Sequence, residues 1–318
     1  MAGRTSDSAP AWLGDRGGHI WPKDREVEAP DGARIRYAVF GADSDVTIAL
    51  CAGFMCPDNF WADIAPPLSE RYRMVVFNYR GVGASTDPRT PGWRARRVTS
   101  DDYTIEKMAG DLLAILDAEG IERVVPLGHS MGCQVALEVV HADPDRVAAL
   151  VLVTGPYASP LHTFYGRKIG AYLFPFAYAG AKVVPMPLLR ALPYAVRLPI
   201  AMRGARLLRA LGPHTPDQGM DLYFQHFPRV NPLIALKIAK GMHRFDAGPW
   251  LDQVDAPTLI VIGGRDTFTP RAIGDVLLER IPTSEVLELP EGTHGAAIEF
   301  PHEIVETTLD FLERHLAQ

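Results

Sequence analysis

The chain contains little cysteine, which limits both its covalent structure and its metal chemistry. Three cysteines among 318 residues are too few for the disulfide framework of a small secreted domain. Their spacing relative to the histidines does not match that of a zinc site. We therefore expect free thiols, a reducing cytoplasmic location, and no metal ion or other cofactor.

Long apolar runs and an excess of basic charge are missing as well. No stretch reaches the roughly 18 consecutive apolar residues of a membrane-spanning helix, and the closest, residues 169–186, is interrupted by Lys182 and two prolines. Residues 1–21 lack the apolar core of a signal peptide, so we expect residues 1–25 to form a flexible leader. The net charge of −6 provides no basic surface for nucleic acid.

The sequence that remains has an ordinary globular composition, arranged as alternating strands and helices. Hydrophobic residues make up 47% of the chain and charged residues 22%, which is typical of a protein with a substantial core. Short apolar runs between turn residues predict strands at 34–40, 46–50, 74–77, 124–127, 147–154, 258–262 and 285–289. Helical spacing predicts helices at 59–68, 104–119, 131–141 and 304–316. This alternation indicates an α/β fold, in which helices cover both faces of a mostly parallel sheet.

Residues 156–250 interrupt the alternation. Their pattern is helical and apolar, with many prolines and aromatic residues, and their net charge is +9 against −15 for the rest of the chain. We interpret them as a helical cap inserted between two strands of a core formed by residues 26–155 and 251–318. The positive charge favours weak association with an anionic membrane, lipid or substrate. Solvated basic helix faces are the more common explanation of such a charge.

Residues 128–132 read Gly-His-Ser-Met-Gly, a G-x-S-x-G pentapeptide between a predicted strand and a predicted helix. A nucleophile elbow needs this strand, turn and helix, so the pattern predicts Ser130 as a nucleophile. The backbone N–H of Met131 begins the helix and is a candidate donor to an oxyanion. The same pentapeptide also occurs in glycine-rich turns of unrelated chains.

A serine hydroxyl needs a base to take its proton. Among the ten histidines, His294 is the candidate because it lies in a polar loop between the last predicted strand and the last predicted helix. Asp266 directly follows the strand at 258–262 and is the candidate carboxylate that would orient the imidazole. Parallel strands end on one edge of a sheet, so Ser130, Asp266 and His294 are expected to converge there.

The loop after the strand at 46–50 is expected to provide a second oxyanion donor, the backbone N–H of Phe54. Apolar side chains in this loop and in the cap are candidate substrate contacts and favour short to medium acyl or aromatic groups. For each residue of the cap, a place in the cap's own core is at least as good an explanation. They are Met55, Tyr157, Phe164, Leu173, Phe174 and Phe176.

Together these motifs resemble the α/β-hydrolase superfamily from about residue 26 to residue 316. Residues 78–85 (N-Y-R-G-V-G-A-S) are similar to the family's D-x-R-G-x-G-x-S turn, and residues 263–266 (G-G-R-D) are similar to its G-x-x-D acid turn. The resemblance implies an eight-stranded sheet, a lid over the site and acyl transfer to water. Asn78 replaces the family's aspartate, and Ala52 replaces the histidine of its oxyanion loop.

The resemblance implies a serine esterase with a helical cap, which acts on small-molecule carboxylic esters, with water as the acyl acceptor. A C–C bond hydrolase, a lactonase, a thioesterase or an acyltransferase could use the same three residues. A ligand-binding receptor could retain them without turnover. Haloalkane dehalogenases and epoxide hydrolases of this fold use an aspartate nucleophile, so Ser130 disfavours them. The sequence makes no prediction of the oligomeric state.

Overall fold

A computed structural model describes residues 20–88, 98–162, 169–181, 183–197, 203–204, 206 and 211–316. Within these residues, eight strands form a single sheet. The strands are β1 (Arg25–Glu28), β2 (Arg34–Gly41), β3 (Thr47–Cys51), β4 (Arg73–Phe77), β5 (Val124–His129), β6 (Leu150–Val153), β7 (Thr258–Gly263) and β8 (Ser284–Leu289).

The strands follow the order β1-β2-β4-β3-β5-β6-β7-β8 across the sheet. β2 is antiparallel to both of its neighbours, and every pairing from β4 to β8 is parallel. The prediction of a mostly parallel eight-stranded sheet is therefore confirmed. β1 was not predicted from its own residues because Arg-Glu-Val-Glu contains one apolar side chain, and pairing with β2 positions it.

Helices cover the sheet and fill the long connection between β6 and β7. The predicted helix at 59–68 is instead a 3-10 turn (Asp58–Trp61) followed by a short helix, because the two prolines at 66 and 67 fit only a first helical turn. The described α-helices are α1 (Ala65–Ser69), α2 (Ile105–Ala118), α3 (Met131–Ala142), α4 (Ile169–Ala181), α5 (Met186–Ala191), α6 (Asp217–His226), α7 (Pro232–Arg244), α8 (Arg271–Arg280), α9 (Ala296–Glu299) and α10 (Pro301–Leu316).

Alternate residues of the central strands face two separate hydrophobic layers. In β3, Ile48 and Leu50 belong to the layer that contains α1 and α10. Ala49 and Cys51 belong to the layer that contains α2 and α3. β5 and β6 are buried along their whole length, as expected for parallel strands with helices on both faces.

The connection between β6 and β7 is helical in its described part, and α7 anchors it to the core. Asn231 caps α7 because its side chain accepts a hydrogen bond from the N–H of Leu233 at 3.0 Å. Ile238 and Met242 of α7 are buried in the same layer as α2 and α3. The assignment of residues 156–250 as one cap stays a prediction.

Residues 20–25 contact the body of the protein, which differs from the predicted flexible leader. The ring of Trp21 stacks on Phe40 with 5.0 Å between centroids. The ammonium group of Lys23 forms an ion pair with the buried carboxylate of Asp58. These contacts place the start of the core before residue 26, while residues 1–19 lie outside the described part of the chain.

A buried arginine connects the turn after β4 to α2. The guanidinium of Arg80 donates two hydrogen bonds to the carboxylate of Asp111, at 2.8 and 2.5 Å. It also donates to Asp31 at 2.7 Å and to the backbone carbonyl of Asp102 at 2.9 Å. The side chains of Arg80 and Asp111 are almost completely inaccessible to solvent, so each charge depends on the other for compensation.

We predict that Arg80→Leu lowers the free energy of unfolding by about 3–5 kcal/mol, because it leaves the carboxylate of Asp111 buried without its partner. Urea unfolding followed by circular dichroism measures the loss. Arg314→Leu is the control, since Arg314 forms a similar two-bond pair with Glu285 at the surface, where such pairs contribute little. Equal losses in the two variants would contradict the prediction.

Candidate active site

Ser130 occupies a strained turn between β5 and α3. Its backbone angles are φ 54° and ψ −121°, in a region that residues with a side chain rarely adopt. The N–H of Ser130 donates to the carbonyl of Val153 at 3.1 Å, and its own carbonyl accepts from the N–H of Cys133 at 2.9 Å. These bonds hold the turn in place and present the hydroxyl at the carboxyl edge of the sheet.

The two glycines that flank this turn allow the backbone to pass very close to other backbone atoms. A Cβ atom on Gly132 would lie 1.8 Å from the carbonyl oxygen of Cys51, at the end of β3. A Cβ atom on Gly128 would lie 2.5 Å from the carbonyl oxygen of Gly132. Gly132 therefore lets the start of α3 pack against β3, and Gly128 lets the turn itself close.

The structure brings Ser130, His294 and Asp266 into one hydrogen-bonded series. The Oγ of Ser130 lies 2.8 Å from Nε2 of His294. On the other side of the same ring, Nδ1 of His294 lies 2.9 Å from Oδ2 of Asp266. The His294 side chain is partly exposed and that of Asp266 is fully buried, so the series runs from the protein interior to an accessible hydroxyl.

Backbone and side-chain donors fix the orientation of Asp266. Its Oδ1 accepts hydrogen bonds from the N–H groups of Phe268 and Thr269, at 2.7 and 2.9 Å. Its Oδ2 lies 2.6 Å from the hydroxyl of Thr269. Burial acts to raise the pKa of Asp266, but interaction with His294 and the hydrogen bonds from His294 and Thr269 hold the pKa below its ordinary value. The carboxylate is therefore ionised at neutral pH.

His129, directly before Ser130, holds the backbone of the loop that carries His294. Its Nε2 donates to the backbone carbonyl of His294 at 2.9 Å. Burial, with a smaller contribution from the nearby His294, lowers the pKa of His129 to about 4, so the ring is neutral at physiological pH. Sequence reasoning missed this role, although the position of His129 inside the pentapeptide placed it beside the site.

The two predicted oxyanion donors belong to segments that flank Ser130. Met131 is the first residue of α3. Phe54 follows Gly53, where a Cβ atom would lie 3.3 Å from the Cβ of Ser130. Phe54 also lines the same cavity as Ser130 and His294. Both segments therefore border the serine hydroxyl, and the role of their N–H groups stays a prediction.

A predominantly apolar cavity of about 400 Å³ opens above Ser130, within the range typical of small-molecule sites. Its polar lining groups are few and include the hydroxyl of Ser130 and the ring of His294. Its apolar lining comes mainly from loops near the sheet edge and from the chain between β6 and β7: Phe54, Phe60, Pro156, Pro160, Leu161, Leu211, Met220, Tyr223, Phe224, Met242 and Phe268.

None of the predicted substrate contacts that the structure describes belongs to this lining. Met55 is buried in the core layer of α2 and α3, and Tyr157 packs against that layer. Leu173 and Phe176 are 61% and 77% exposed on the outside of α4. The ring of Phe174 packs against α7, 5.8 Å from that of His243. Phe164 lies outside the described residues.

The side chains that do line the cavity were mostly not predicted from the sequence. Met220, Tyr223 and Phe224 recur at spacings of three and four residues, so they share one face of α6, and this periodicity was the available signal. Phe268 follows Asp266 by two residues, and its ring stacks on His294 with 4.9 Å between centroids. Its position close to Asp266 in the sequence was the available signal for Phe268.

In the described parts of the chain, no group of three or more His, Cys, Asp or Glu side chains is arranged to hold a metal ion. The helices described here also include none with the length and apolar character needed to cross a membrane. The three cysteines are free thiols.

We predict that Gly132→Ala lowers the free energy of unfolding by about 3 kcal/mol or more, because the added methyl group overlaps the carbonyl of Cys51. Gly110→Ala is the control, since a Cβ atom on Gly110 meets no atom within 4 Å. In the middle of α2, that change should stabilise the protein by about 0.5–1 kcal/mol. Urea unfolding of both variants tests the prediction, and an unaltered Gly132→Ala protein would contradict it.

Comparison with known sequences identifies the family. Residues 48–301 match the sequence profile of the alpha/beta hydrolase fold family. RutD from Klebsiella pneumoniae subsp. pneumoniae, provisionally named a carbamate hydrolase, is 27% identical over 251 residues, which cover 79% of this chain and 85% of RutD. The relationship therefore spans most of both proteins.

Solved structures share the same fold. A hydrolase from Pseudomonas aeruginosa PA01 superposes with a TM-score of 0.70 at 23% identity, covering 91% of this chain and 97% of that one. An enol-lactonase from Burkholderia xenovorans LB400 superposes with a TM-score of 0.68 at 20% identity, covering 91% and 99%. Because the family match spans most of the chain, we conclude that this protein belongs to the α/β-hydrolase family and is a hydrolase.

Proposed function

We propose that this hydrolase cleaves carboxylic esters through an acyl-enzyme on Ser130. The observation that carries the proposal is the hydrogen-bonded series Ser130–His294–Asp266, with separations of 2.8 and 2.9 Å, at the base of an apolar cavity. A serine hydroxyl within reach of an imidazole, itself oriented by a carboxylate, is the arrangement that activates serine for attack on a carbonyl.

In the first half of the reaction, Oγ of Ser130 attacks the ester carbonyl carbon while Nε2 of His294 takes the hydroxyl proton. The ionised Asp266 stabilises the imidazolium that forms. The N–H groups of Met131 and Phe54 would hold the negative oxygen of the tetrahedral intermediate. His294 then gives its proton to the departing alcohol, which leaves the acyl group on Ser130.

In the second half, a water molecule takes the place of the alcohol. His294 removes a proton from that water, which attacks the acyl carbonyl, and the same N–H groups hold the second tetrahedral intermediate. Collapse of the intermediate breaks the bond to Oγ, and the serine recovers its proton from His294. The side chains of the chain itself supply every proton transfer, so the proposed cycle uses ester and water alone.

The lining of the cavity supports a substrate with an apolar acyl or alcohol part. Aliphatic and aromatic side chains from three parts of the chain line the cavity together with Ser130: Phe60 on the 3-10 turn after β3, Met220 and Phe224 on α6, and Phe268 in the loop after β7. Burying a methylene group in such surroundings contributes about 0.8 kcal/mol. The acyl group should therefore contribute to binding in proportion to its length until the cavity is full.

Carbamate hydrolysis is the second candidate because of the similarity to RutD, which is 27% identical. The same serine can attack a carbamate carbonyl, which gives a carbamoyl-enzyme in place of an acyl-enzyme. The predominantly apolar cavity favours the ester over a small polar carbamate, since it offers few groups that could replace the hydrogen bonds of the carbamate with water.

We predict that Ser130→Ala lowers kcat for p-nitrophenyl butyrate by roughly 10⁴- to 10⁶-fold, because it removes the nucleophile. The variant should also fail to react with a fluorophosphonate probe. Ser159→Ala is the control and should keep its activity. The hydroxyl of Ser159 also forms a hydrogen bond with a histidine, at 2.5 Å from Nδ1 of His243, but it is not part of the Ser130–His294–Asp266 series. A Ser130→Ala enzyme that keeps most of its activity would end the proposal.

We predict that kcat/KM for p-nitrophenyl esters rises about fourfold per methylene from acetate to hexanoate, as expected for burial of each group. Met220→Trp should shift the preferred ester to one with a shorter acyl chain, because the larger side chain fills part of the cavity. Leu188→Trp, on the exposed side of α5, should leave the acyl-chain preference unchanged. Steady-state kinetics tests both. Faster turnover of p-nitrophenyl N-methylcarbamate than of every ester would favour the carbamate hydrolase instead.

A further inference from the structure

The helix α4 is apolar around its whole circumference, yet one of its faces is open to solvent. Its sequence, IGAYLFPFAYAGA, contains no charged side chain. Phe174 and Tyr178 face the rest of the cap, where the ring of Phe174 lies 5.8 Å from that of His243 and the ammonium group of Lys240 lies over Tyr178. A helix that is hydrophobic on all sides is normally covered on all sides, by protein or by lipid.

The exposed apolar side chains of the described residues are concentrated on α4 and the segment after it. Eight large hydrophobic residues are exposed in the part of the chain that the structure describes. Seven of them lie between residues 172 and 194, and the eighth is Val286 on β8. We call the seven the apolar cap surface. They are Tyr172, Leu173, Phe176, Val183, Val184, Leu188 and Tyr194. Exposed apolar side chains concentrated in one segment in this way indicate an interaction site.

The charge of the surrounding segment is entirely of one sign. Residues 156–216 contain eight Lys and Arg residues and no Asp or Glu, which gives +8 against −14 for the rest of the chain. Arg190 on α5 is exposed beside the apolar cap surface, and Arg203 is exposed farther along the same segment. Basic side chains that flank exposed aromatic and aliphatic ones are typical of protein surfaces that bind in the plane of an anionic membrane.

We propose that the apolar cap surface docks the protein onto an anionic phospholipid bilayer. Charge complementarity selects this occupant. Two copies of the protein joined through this surface by a two-fold axis would place the two Arg190 side chains at the same interface, where their like charges would repel. The surface of an anionic bilayer attracts those charges, and its acyl region accepts the side chains of Tyr172, Leu173 and Phe176.

The helix α4, which carries part of the apolar cap surface, also contacts the wall of the active-site cavity. Leu161 lines that cavity, and a Cβ atom on Gly170 of α4 would lie 3.4 Å from a methyl carbon of Leu161. Docking through α4 would therefore bring the cavity wall close to the lipid headgroups. The docking itself involves no group of the Ser130 series, so it can be tested independently of the proposed ester hydrolysis.

Cosedimentation of the full-length protein with dioleoylphosphatidylglycerol vesicles tests the proposal, with dioleoylphosphatidylcholine vesicles as the neutral comparison. We expect binding to the anionic vesicles and weaker binding in 1 M salt, where the Debye length falls to about 3 Å. Ser130→Ala should bind as the unaltered protein does, which separates docking from hydrolysis.

Two variants separately change the apolar side chains of the proposed surface and the basic side chain beside them. The triple variant Tyr172→Ser, Leu173→Ser, Phe176→Ser should weaken partitioning roughly 100-fold, because it removes the inserted apolar groups. Arg190→Glu should weaken it roughly 25-fold, because it replaces one attraction by one repulsion. Val286→Ser is the matched control because it removes an exposed apolar side chain elsewhere on the protein. It should leave partitioning onto the anionic vesicles unchanged.

Several results would overturn the proposal. They are failure to sediment with the anionic vesicles, equal binding to neutral vesicles, and unchanged binding by the triple variant. Sedimentation velocity provides a fourth such result, which is a dimer of the unaltered protein that the triple variant abolishes. That dimer would assign the apolar cap surface to a second copy of the chain. Thermal unfolding of each variant confirms that the comparison is between folded proteins.

Discussion

The contact between Gly132 and the carbonyl of Cys51 is the constraint on which the active-site geometry depends. It fixes the start of α3 against the end of β3, and directly before α3 the N–H of Ser130 is held by the carbonyl of Val153. Ser130 therefore keeps an unfavourable backbone conformation that the surrounding sheet maintains. The loops after β7 and β8 then need only to reach the same edge to bring Asp266 and His294 to the serine.

The parts of the site that follow from strand order could be predicted from the sequence. Ser130 and Asp266 come soon after the ends of apolar strands, and His294 lies in the loop after the last one. Parallel strands end on one edge of a sheet, so the topology places the three together before any side-chain packing is known. β1 could not be predicted in this way, because its position comes from its pairing with β2.

The cavity lining could not be predicted, because it depends on how the helices between β6 and β7 pack. Phe174 faces inward, whereas Leu173 and Phe176 on the same helix face outward. The three side chains have similar hydrophobicity, so sequence alone gives no reason to separate them. Helical periodicity groups residues such as Met220 and Tyr223 on one face, but the direction of that face is set by neighbouring helices that are distant in sequence.

His129 adds a connection between the segments that carry Ser130 and His294, which the three residues of the series do not provide through the backbone. Its ring N–H joins the end of β5 to the backbone carbonyl of His294, and its pKa of about 4 keeps this bond in the same form across the physiological range. The serine and the imidazole are thus joined through β5 and the backbone of the loop after β8. The separation between Ser130 and His294 is therefore set at the edge of the sheet.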